Sequence, residues 1–379
     1  MMKLMHLSDL HLGKRVNGFS MLEEQRYILE QILELVRQEQ PQGVLLAGDL
    51  FDKPMPPAEA VQLLDDFLAE LSGCGCAVFA VSGNHDSPER VAYGGRLLRH
   101  SSVYMSPVYD GSIVPITLED EQGPVDIYLL PFLKPASLRS CMPEAEIRSC
   151  QEAVAAALEG LPVHPERRNV LVAHQFVTGA QVLEQEELLI GGTDGVEASL
   201  FDGFDYVALG HLHGPQQVGR ETLRYCGTPL KYSFAEAAHH KSVTVVELGE
   251  KGHVTLGLLP LTPRHDLREI RGTYDQVMDR SAYTQQNRFD YLHITLTDEE
   301  DVPDAIGRLR TVYPNLMKLD YDNRRTRESG TLLAEEAPEQ QSPLELFGDF
   351  YRMQNNKDLD EAQLAYLQRL TKEIWEEEV

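Results

Sequence analysis

The 379-residue sequence has no long apolar run, few cysteines and too few basic residues to balance its acidic ones. No stretch approaches the roughly 18 apolar residues that a membrane-spanning helix needs, so we expect no such helix. The five cysteines are an odd, scattered set, which argues against a disulfide framework. Histidine and aspartate interrupt the first residues, MMKLMHLSDLH, which therefore lack the layout of a signal peptide. These absences together predict a cytoplasmic protein.

The charge of the chain is strongly one-sided. Lysine and arginine number 34 against 60 aspartates and glutamates, a formal net charge of −26. Taken alone, this argues against tight non-specific binding to nucleic acid, which depends on basic side chains that neutralise phosphates. Carboxylates inside a metal site are, however, offset by the metal ion. The charge therefore weakens a nucleic-acid-binding interpretation without excluding it.

What the sequence does contain, up to about residue 260, is one repeated pattern. A short apolar run ends in a compact polar cluster, and a helical segment often follows. Continuous apolar runs are typical of strands that are covered on both faces. In open α/β sheets, functional side chains collect beyond the carboxyl ends of the strands, so we expect the clusters to meet in space. The five predicted strands are 3–7, 43–47, 77–81, 170–173 and 206–209.

Each of these strands leads into side chains of the types that bind metal ions. One His-x-His or Gly-Asp pair alone is usually a surface or turn feature, but five such clusters at five strand ends predict a metal site. Mixed imidazole and carboxylate ligands suit manganese, iron or zinc, whereas magnesium prefers oxygen ligands. There are more groups than one tetrahedral ion needs, so two ions that share a carboxylate fit better, as in hydrolysis at phosphorus. The clusters are Asp9-x-His11, Gly48-Asp49, Gly83-Asn84-His85-Asp86, His174 and Gly210-His211-x-His213.

Beyond residue 260 the pattern changes to a small α+β unit, a linker and a helical tail. Ser342-Pro343-Leu344-Glu345 forms a capping box that predicts the start of an amphipathic helix. Such a tail is suited to a groove or coiled coil on a partner, and the alternative is that it folds back on its own domain. The predicted divisions are a catalytic domain at 1–260, a cap domain at 261–325, a linker at 326–341 and a tail at 342–379.

The ordered clusters resemble the motif series of the calcineurin-like metallophosphoesterase superfamily: D-x-H, G-D-x-x-D, G-N-H-D/E, H and G-H-x-H. Longer stretches along nearly the whole chain resemble the SbcD family, the nuclease subunits of bacterial SbcCD DNA-repair complexes. This resemblance implies an α/β fold, a four-layer α/β/β/α sandwich with a small α+β cap domain and a C-terminal helical tail. The stretches are SDLHLGK, GNHDSPER, GGTDGVEASLFDGFDYVALGHLHGPQ, YCGTPLKYSF and PLELFGDFY.

The resemblance also implies two divalent metal ions, manganese in the family, with Asp49 as the shared ligand. The first ion would be held by Asp9, His11, Asp49 and His213, and the second by Asp49, Asn84, His174 and His211.

Other residues of the motifs receive roles from the same resemblance. His85 is expected beside the scissile phosphate, where it stabilises charge or protonates the leaving 3′ oxygen; the alternative is a metal ligand or a buried structural histidine. Asp86 would orient His85, or would cap the helix that begins near Pro88. Asp52 would orient a ligand histidine or serve as a turn residue. The candidate contacts to DNA phosphates, which could equally be surface charges, are Lys14, Arg15 and Arg90.

By resemblance, the chain is expected to be a manganese-dependent DNA nuclease in DNA end processing, repair and recombination. It would act as a 3′–5′ exonuclease on duplex ends and as an endonuclease on single-stranded or hairpin DNA. The implied partners are DNA, an SbcC-type ABC ATPase with a coiled coil bound through 343–379, and a second copy within a heterotetramer. The motifs alone support only phosphoester hydrolysis, so a small-molecule phosphomonoesterase or cyclic-nucleotide phosphodiesterase is the alternative. An assembly subunit without activity is disfavoured, because all seven ligand positions and His85 are intact.

Overall fold

The structure is a computed structural model. It describes residues 1–139, 141–142, 146–182, 195–284, 286–300, 302–324 and 326, and in the tail 344, 347–348, 351, 359, 363–367 and 369–370. The chain divides into two compact units, Met1–Glu269 with Phe289–His293 and Ile270–Arg288 with Ile294–Val379. Among the described residues, no helix is both long enough and apolar enough to cross a bilayer.

The first unit alternates strands and helices along the chain. Its strands are β1 (Met2–Leu7), β2 (Arg15–Val16), β3 (Phe19–Ser20), β4 (Gly43–Ala47), β5 (Ala77–Val81), β6 (Val103–Met105), β7 (Ile116–Asp120), β8 (Gly123–Leu130), β9 (Arg168–His174), β10 (Tyr206–Gly210), β11 (Gln216–Val218), β12 (Arg220–Tyr225), β13 (Ser242–Leu248) and β14 (Val254–Pro260). Its helices are α1 (Leu22–Glu39), α2 (Ala58–Gly73), α3 (Pro88–Ala92), α4 (Gly95–Leu98), α5 (Pro135–Arg139) and α6 (Cys150–Glu159). All five predicted strands are confirmed.

Two six-stranded sheets form the centre of this unit. The first has the order β14-β13-β1-β4-β5-β6, and the second has the order β11-β12-β10-β9-β8-β7. The strands β1, β4 and β5 run parallel to one another, and so do β9 and β10. Within each sheet, the carboxyl ends of these parallel strands consequently lie at one edge.

Helices cover the outer faces of the sheets, and apolar side chains fill the layer between them. The inner layer joins residues of both sheets, including Leu4 and Phe79 from the first and Val172 from the second. The buried side of α2 lies against β5. Ala153 and Val154 of α6 pack with residues of β9 on the outer face of the second sheet. The predicted four-layer α/β/β/α sandwich is confirmed.

The C-terminal part of the chain has a separate, smaller architecture. A three-stranded sheet has the order β15 (Leu267–Gly272), β16 (Tyr291–Leu296) and β17 (Leu316–Tyr321). Its helices are α7 (Tyr274–Met278), α8 (Arg280–Thr284) and α9 (Ala305–Arg310). The predicted linker, apart from its first residue, and most of the tail lie outside the described residues. The tail residues 344, 347–348, 351, 363–367 and 369–370 are helical.

Candidate metal centre

The five polar clusters converge from the two sheets as expected from the strand directions. The segments after β1, β4 and β5 supply the first three clusters, and β9 and β10 end in the last two. Three overlapping groups of side chains bring their ligand atoms within 4.8 Å of one another. These groups are Asp9-His11-His213, Asp9-Asp49-His174 and His11-Asp52-His85.

The backbone at this edge adopts conformations that side chains with a Cβ rarely accept. Asp9, His11 and Asp49 have φ angles of 53°, 45° and 48°, and His211 has a φ of 113°. Each such residue costs about 1–3 kcal/mol, so the conformation persists only where neighbouring contacts fix it. Here the amide of Asp9 donates to the Gly48 carbonyl at 3.0 Å, and that of His11 to the Asp49 carbonyl at 2.9 Å. These hydrogen bonds fix the backbone conformations that bring the side chains of Asp9, His11 and Asp49 close together.

His11 supplies the strongest sign that a cation belongs in the first group. Both of its ring nitrogens are buried and have no hydrogen-bond partner among the described residues. Buried polar groups are normally paired, because an unpaired one loses its hydration without compensation. The ring Nε2 faces Asp49 Oδ2 at 3.6 Å, beyond hydrogen-bond distance. A divalent ion between His11 Nε2 and Asp49 Oδ2 would bind both atoms. The residues therefore fit the metal ion that the sequence predicts.

Asn84 and His211 lie beside His174 of the second group. His174 Nδ1 donates to the Ala47 carbonyl at 2.8 Å, so Nε2 carries the lone pair in the neutral ring. That nitrogen lies 2.9 Å from Asn84 Oδ1 and 3.5 Å from Asp49 Oδ2. His211 Nδ1 lies 2.9 Å from the same Asn84 oxygen. A ring N–H of either histidine can donate to this oxygen, and a metal ion held here would take the place of that proton.

Two glycines of the motifs leave room for the His174 ring. A Cβ on Gly48, which has a φ of 86°, would lie 2.3 Å from His174 Nδ1. A Cβ on Gly210 would lie 1.8 Å from the Ala47 carbonyl oxygen and 2.8 Å from His174 Nδ1. Both contacts are shorter than van der Waals distances, so any side chain here would displace the hydrogen bond between His174 and Ala47. This explains why Gly precedes Asp49 and His211.

Ionisation within the cluster is strongly perturbed because the groups are buried together. Burial raises the pKa of Asp9 to about 6, against the attraction of His174. Burial opposes the charge of His174, but Asp49 outweighs it and raises the pKa of His174 to about 9. Burial lowers the pKa of His211 to about 3 and holds that of His11 well below its ordinary value. Protons and metal ions would therefore compete for the same atoms.

His85 and Asp86 both lie at the site. The Asp86 carboxylate does not orient the His85 ring, although the sequence analysis expected this contact. His85 Nδ1 donates to the backbone carbonyl of Asp52 at 3.0 Å, and this contact orients the ring. Its backbone amide donates to Asp49 Oδ1 at 2.9 Å. Asp86 instead accepts from the backbone amides of Phe51 at 2.9 Å, Leu50 at 3.1 Å and Gly83 at 2.9 Å. Its carboxylate thus braces two site loops.

The helix that begins at Pro88 is capped by a residue other than Asp86. Ser87 is the N-cap residue of α3, and its side chain accepts from the amide of Arg90. The buried Asp86 carboxylate points the other way, towards the segment after β4. Both sequence-based expectations for Asp86 therefore differ from the observed geometry.

Asp52 lies beside the first group, and a lysine holds it there. Asp52 Oδ1 is 3.7 Å from His11 Nδ1 and accepts from Lys14 Nζ at 2.7 Å. Lys14 Nζ also lies 5.6 Å from the centre of the Tyr232 ring. Lys14, a predicted phosphate contact, is consequently occupied within the protein. Arg15 donates to the Gly18 carbonyl, and Arg90 is exposed on α3.

Several residues at the site carry no signal that sequence reasoning used. Glu236 Oε1 lies 3.0 Å from His213 Nδ1 and is joined to Lys241 through its other oxygen at 2.6 Å. Tyr232 donates to the Leu10 carbonyl at 2.6 Å and lies edge-on to the His11 ring. Tyr232 falls within the stretch YCGTPLKYSF, which resembles the SbcD family and so marks this segment of the chain. Glu236 lies two residues beyond that stretch.

Comparisons with known proteins agree with this geometry. The calcineurin-like phosphoesterase family matches residues 2–215. The curated SbcD subunit of the nuclease SbcCD from Staphylococcus epidermidis is 31% identical over 322 residues, which are 84% of this chain and 85% of that protein. The chain belongs to the SbcD family of calcineurin-like phosphoesterases. A second family, SbcD_C, described as the type 5 capsule protein repressor C-terminal domain, matches residues 263–355 of this SbcD-family chain.

Solved structures show weaker likeness. A dimetal phosphatase from Danio rerio has a TM-score of 0.42 at 13% identity and covers 68% of this chain and 95% of its own. The protein TT1561 of Thermus thermophilus has a TM-score of 0.43 at 13% identity, with 68% and 98% covered. This level of likeness adds nothing to the assignment, which rests on the family matches. As a member of the SbcD family, the chain is a metal-dependent phosphodiesterase.

Proposed function

We propose that this chain is a manganese-dependent DNA nuclease that acts in DNA end processing, repair and recombination. It degrades duplex ends in the 3′–5′ direction and cuts single-stranded or hairpin DNA. The observation that carries the proposal is the buried His11 ring, whose two unpaired nitrogens face a cluster of carboxylates and imidazoles. The relative named as part of a nuclease supplies the substrate class.

The proposed ligand sets are those that the family resemblance implies, and they overlap two of the three groups of converging side chains. Two divalent ions held there would supply Lewis-acid chemistry that clamps the attacking and leaving oxygens of an in-line displacement at phosphorus. Asp49 lies between the groups, with Oδ2 3.6 Å from His11 Nε2 and 3.5 Å from His174 Nε2. The first set is Asp9, His11, Asp49 and His213, and the second is Asp49, Asn84, His174 and His211.

His85 is the proposed proton carrier. A carbonyl oxygen can only accept, so the hydrogen bond from Nδ1 to the Asp52 carbonyl leaves Nε2 as the nitrogen that exchanges a proton. The ring is half-buried beside the first group, with its centre 4.9 Å from that of His11. From this position a protonated His85 donates to the departing 3′ oxygen and stabilises the charge that develops there.

The partners in the proposal are DNA, an SbcC-type ABC ATPase and a second copy of the chain. The ATPase binds the tail at 343–379 and supplies much of the duplex-binding surface, since this chain carries a net charge of −26. The cap at 261–325 helps to position DNA. The second copy forms a homodimer inside a heterotetramer, as the resemblance to the SbcD family implies. The complex works in the cytoplasm, on the nucleoid.

The test uses the purified chain with and without its ATPase partner. End-labelled duplex DNA, hairpin DNA and small mono- and diesters are incubated with Mn²⁺, and parallel reactions contain EDTA or the His85→Ala variant. We expect manganese-dependent DNA cleavage that disappears in both parallel reactions. Hydrolysis of small esters without DNA cleavage, even in the full complex, would instead assign the small-molecule phosphoesterase function.

A further inference from the structure

Glu236 is a buried carboxylate whose two oxygens face different kinds of donor. Oε1 lies 3.0 Å from His213 Nδ1 and accepts from the Tyr232 amide at 3.3 Å. Oε2 accepts from Lys241 Nζ at 2.6 Å and from the Thr228 hydroxyl at 3.2 Å. The side chain is 1% exposed. Every lone-pair direction therefore meets a protein group, which is the pattern of a residue that fixes its neighbours.

Lys241 completes the arrangement from the other side. Its side chain is 4% exposed and donates to Thr228 Oγ1 at 2.6 Å as well as to Glu236. It also donates to the backbone carbonyl of His213 at 2.9 Å. His213 is consequently held at its ring through Glu236 and at its backbone through Lys241. Burial disfavours a charged Glu236, but Lys241 and His213 hold the pKa of Glu236 below its ordinary value.

We propose that Glu236 and Lys241 act as one positioning unit that keeps the ring proton of His213 on Nδ1 and thereby points its Nε2 at the first metal position. This inference rests on the metal centre of the proposed function. Neither residue touches the substrate. Carboxylates behind metal-binding histidines fix the tautomer and raise the basicity of the ligand nitrogen.

The lysine makes the role of the carboxylate specific. In Glu236→Gln, the side chain has only one acceptor oxygen, although both His213 and Lys241 face it as donors. The ammonium of Lys241 is the stronger of the two donors. The amide oxygen would turn to Lys241, and the amide NH₂ would then face His213 Nδ1. That nitrogen would have to accept, so the ring proton would move to Nε2, where it blocks the metal. Removing Lys241 as well frees the amide oxygen to face His213.

The two metal positions are therefore built differently. His174, in the second set, is fixed by a neutral backbone carbonyl, whereas His213 is fixed by an ionised carboxylate. Among the described residues, the ring of His213 is thus held by a side chain that can be changed without touching a ligand, whereas that of His174 is held at Nδ1 by the backbone. A defect in Glu236 should consequently weaken one ion and spare the other.

The experiment compares the full-length chain with Glu236→Gln, Lys241→Met and the double variant Glu236→Gln/Lys241→Met. Manganese binding is followed by calorimetry, and the spin-coupled pair by electron paramagnetic resonance. The tautomer of His213 is read in the metal-free protein from histidine ring ¹⁵N shifts, at a pH above the pKa of His213, which Glu236 raises, so that the ring is neutral. None of these readouts depends on DNA cleavage.

We expect the wild type to bind two ions and to protonate Nδ1 of His213. Glu236→Gln should weaken one ion by about 10–100-fold and move the proton to Nε2. Lys241→Met should keep the tautomer, because the carboxylate remains. The double variant should restore both the tautomer and at least about tenfold of the lost affinity. Restoration by a second substitution is not expected from structural damage.

A matched control is available within the same unit. Glu24 is also a buried glutamate, 2% exposed, and contacts His265 Nδ1 at 2.6 Å outside the metal site. Glu24→Gln should leave both manganese affinities unchanged. Two tightly bound ions in Glu236→Gln, or a double variant no better than the single one, would overturn the inference alone. A wild-type chain that binds no manganese would overturn the metal centre together with it.

Discussion

The two sheets contribute to the site in different ways. The first sheet supplies the carboxylates and the amide from loops, and three of its residues there have φ angles between 45° and 53°. The second sheet supplies three histidines, and His174 is the last residue of a regular strand. In the first half the loops brace one another through backbone amides, although a positive φ angle also occurs in the second half, at His211. In the second half, Nδ1 of His174 meets a backbone carbonyl and Nδ1 of His213 meets the Glu236 carboxylate.

This difference has a consequence for how the halves tolerate change. Asp49 accepts from the His85 amide, and Asp86 accepts from the amides of Leu50, Phe51 and Gly83, so one altered side chain loosens two loops. A change behind one histidine of the second sheet affects that ligand alone. We expect substitutions in the first half to alter both metal positions and folding stability, and those in the second half to alter a single ion.

Asp49→Asn is the strongest way to test the shared role of the first half. The variant removes the negative charge that faces both His11 and His174, so both ions should be lost. Activity should fall by more than the roughly 10²–10⁴-fold that one general acid contributes. Metal content by mass spectrometry and a DNA cleavage assay measure the two effects. Asp65→Asn, on the exposed side of α2, is the matched control. Retention of either ion at wild-type affinity would contradict the shared role.

His85→Ala should separate catalysis from metal binding. The side chain hydrogen-bonds to a backbone carbonyl and lies edge-on to the His11 ring, and the amide that supports Asp49 remains in the variant. We expect the turnover number to fall about 10²–10⁴-fold with two ions still bound. His100→Ala, at an exposed position, should have no effect. If metal content falls in His85→Ala, the side chain is a ligand and its proposed role is wrong.

The affinity for manganese should rise with pH. Asp9, with a pKa of about 6, and His174, with a pKa of about 9, both hold protons at low pH that the ions must displace. Each proton that an ion displaces makes its affinity rise about tenfold per pH unit, and the rise should be steepest at low pH, where Asp9, His174 and His213, whose pKa is also raised, all hold protons. Calorimetry in buffers of different ionisation enthalpy counts these protons. An affinity that is constant from about pH 5 to 8 would contradict the competition.

Asp86→Asn should damage the brace of the first half without removing a proposed ligand. The amide can accept on one side only, so it leaves buried amide donors of Leu50, Phe51 or Gly83 unpaired. The free energy of unfolding should fall by about 1–3 kcal/mol. Urea denaturation of the metal-free chain measures it, with Asp66→Asn on α2 as the control. An unchanged midpoint would show that the strained loops do not depend on Asp86.

Much of the fold and of the candidate metal centre was predictable from the sequence, and what was not predictable has a physical reason. The strands and the ligands at their ends are encoded locally, in apolar runs followed by Asp, Asn and His, and the carboxyl ends of parallel strands bring them together. A place for Asp52 beside a ligand histidine was among the expectations from the sequence. The contacts of the Asp52 carbonyl and of the Asp86 carboxylate were not predictable, because backbone groups take part in both. His85 is held by a carbonyl 33 residues away, and Asp86 binds amides 35 and 36 residues away.

Glu236 and Lys241 escaped sequence reasoning for a related reason. Glu236 lies 23 residues from His213 in the chain, and no spacing rule links a glutamate to a histidine over that distance. Only the folded segment after β12 brings the carboxylate behind the ring. The general expectation that ligand histidines have partners was available, but the identity of the partner was not.

Lys14→Met offers the mildest test, at the rim of the first half. Lys14 Nζ is 2.7 Å from Asp52 Oδ1, and both side chains are partly exposed, so its loss should cost less than about 1 kcal/mol of stability. Because this ammonium is already paired, Lys14→Met should leave the salt dependence of DNA binding by the full complex almost unchanged. Arg90→Met, at an exposed position on α3, should reduce the slope of log K against log salt by up to about one. A larger change in the slope for Lys14→Met than for Arg90→Met would mean that Lys14 leaves Asp52 to bind a phosphate, and that the first half rearranges when DNA arrives.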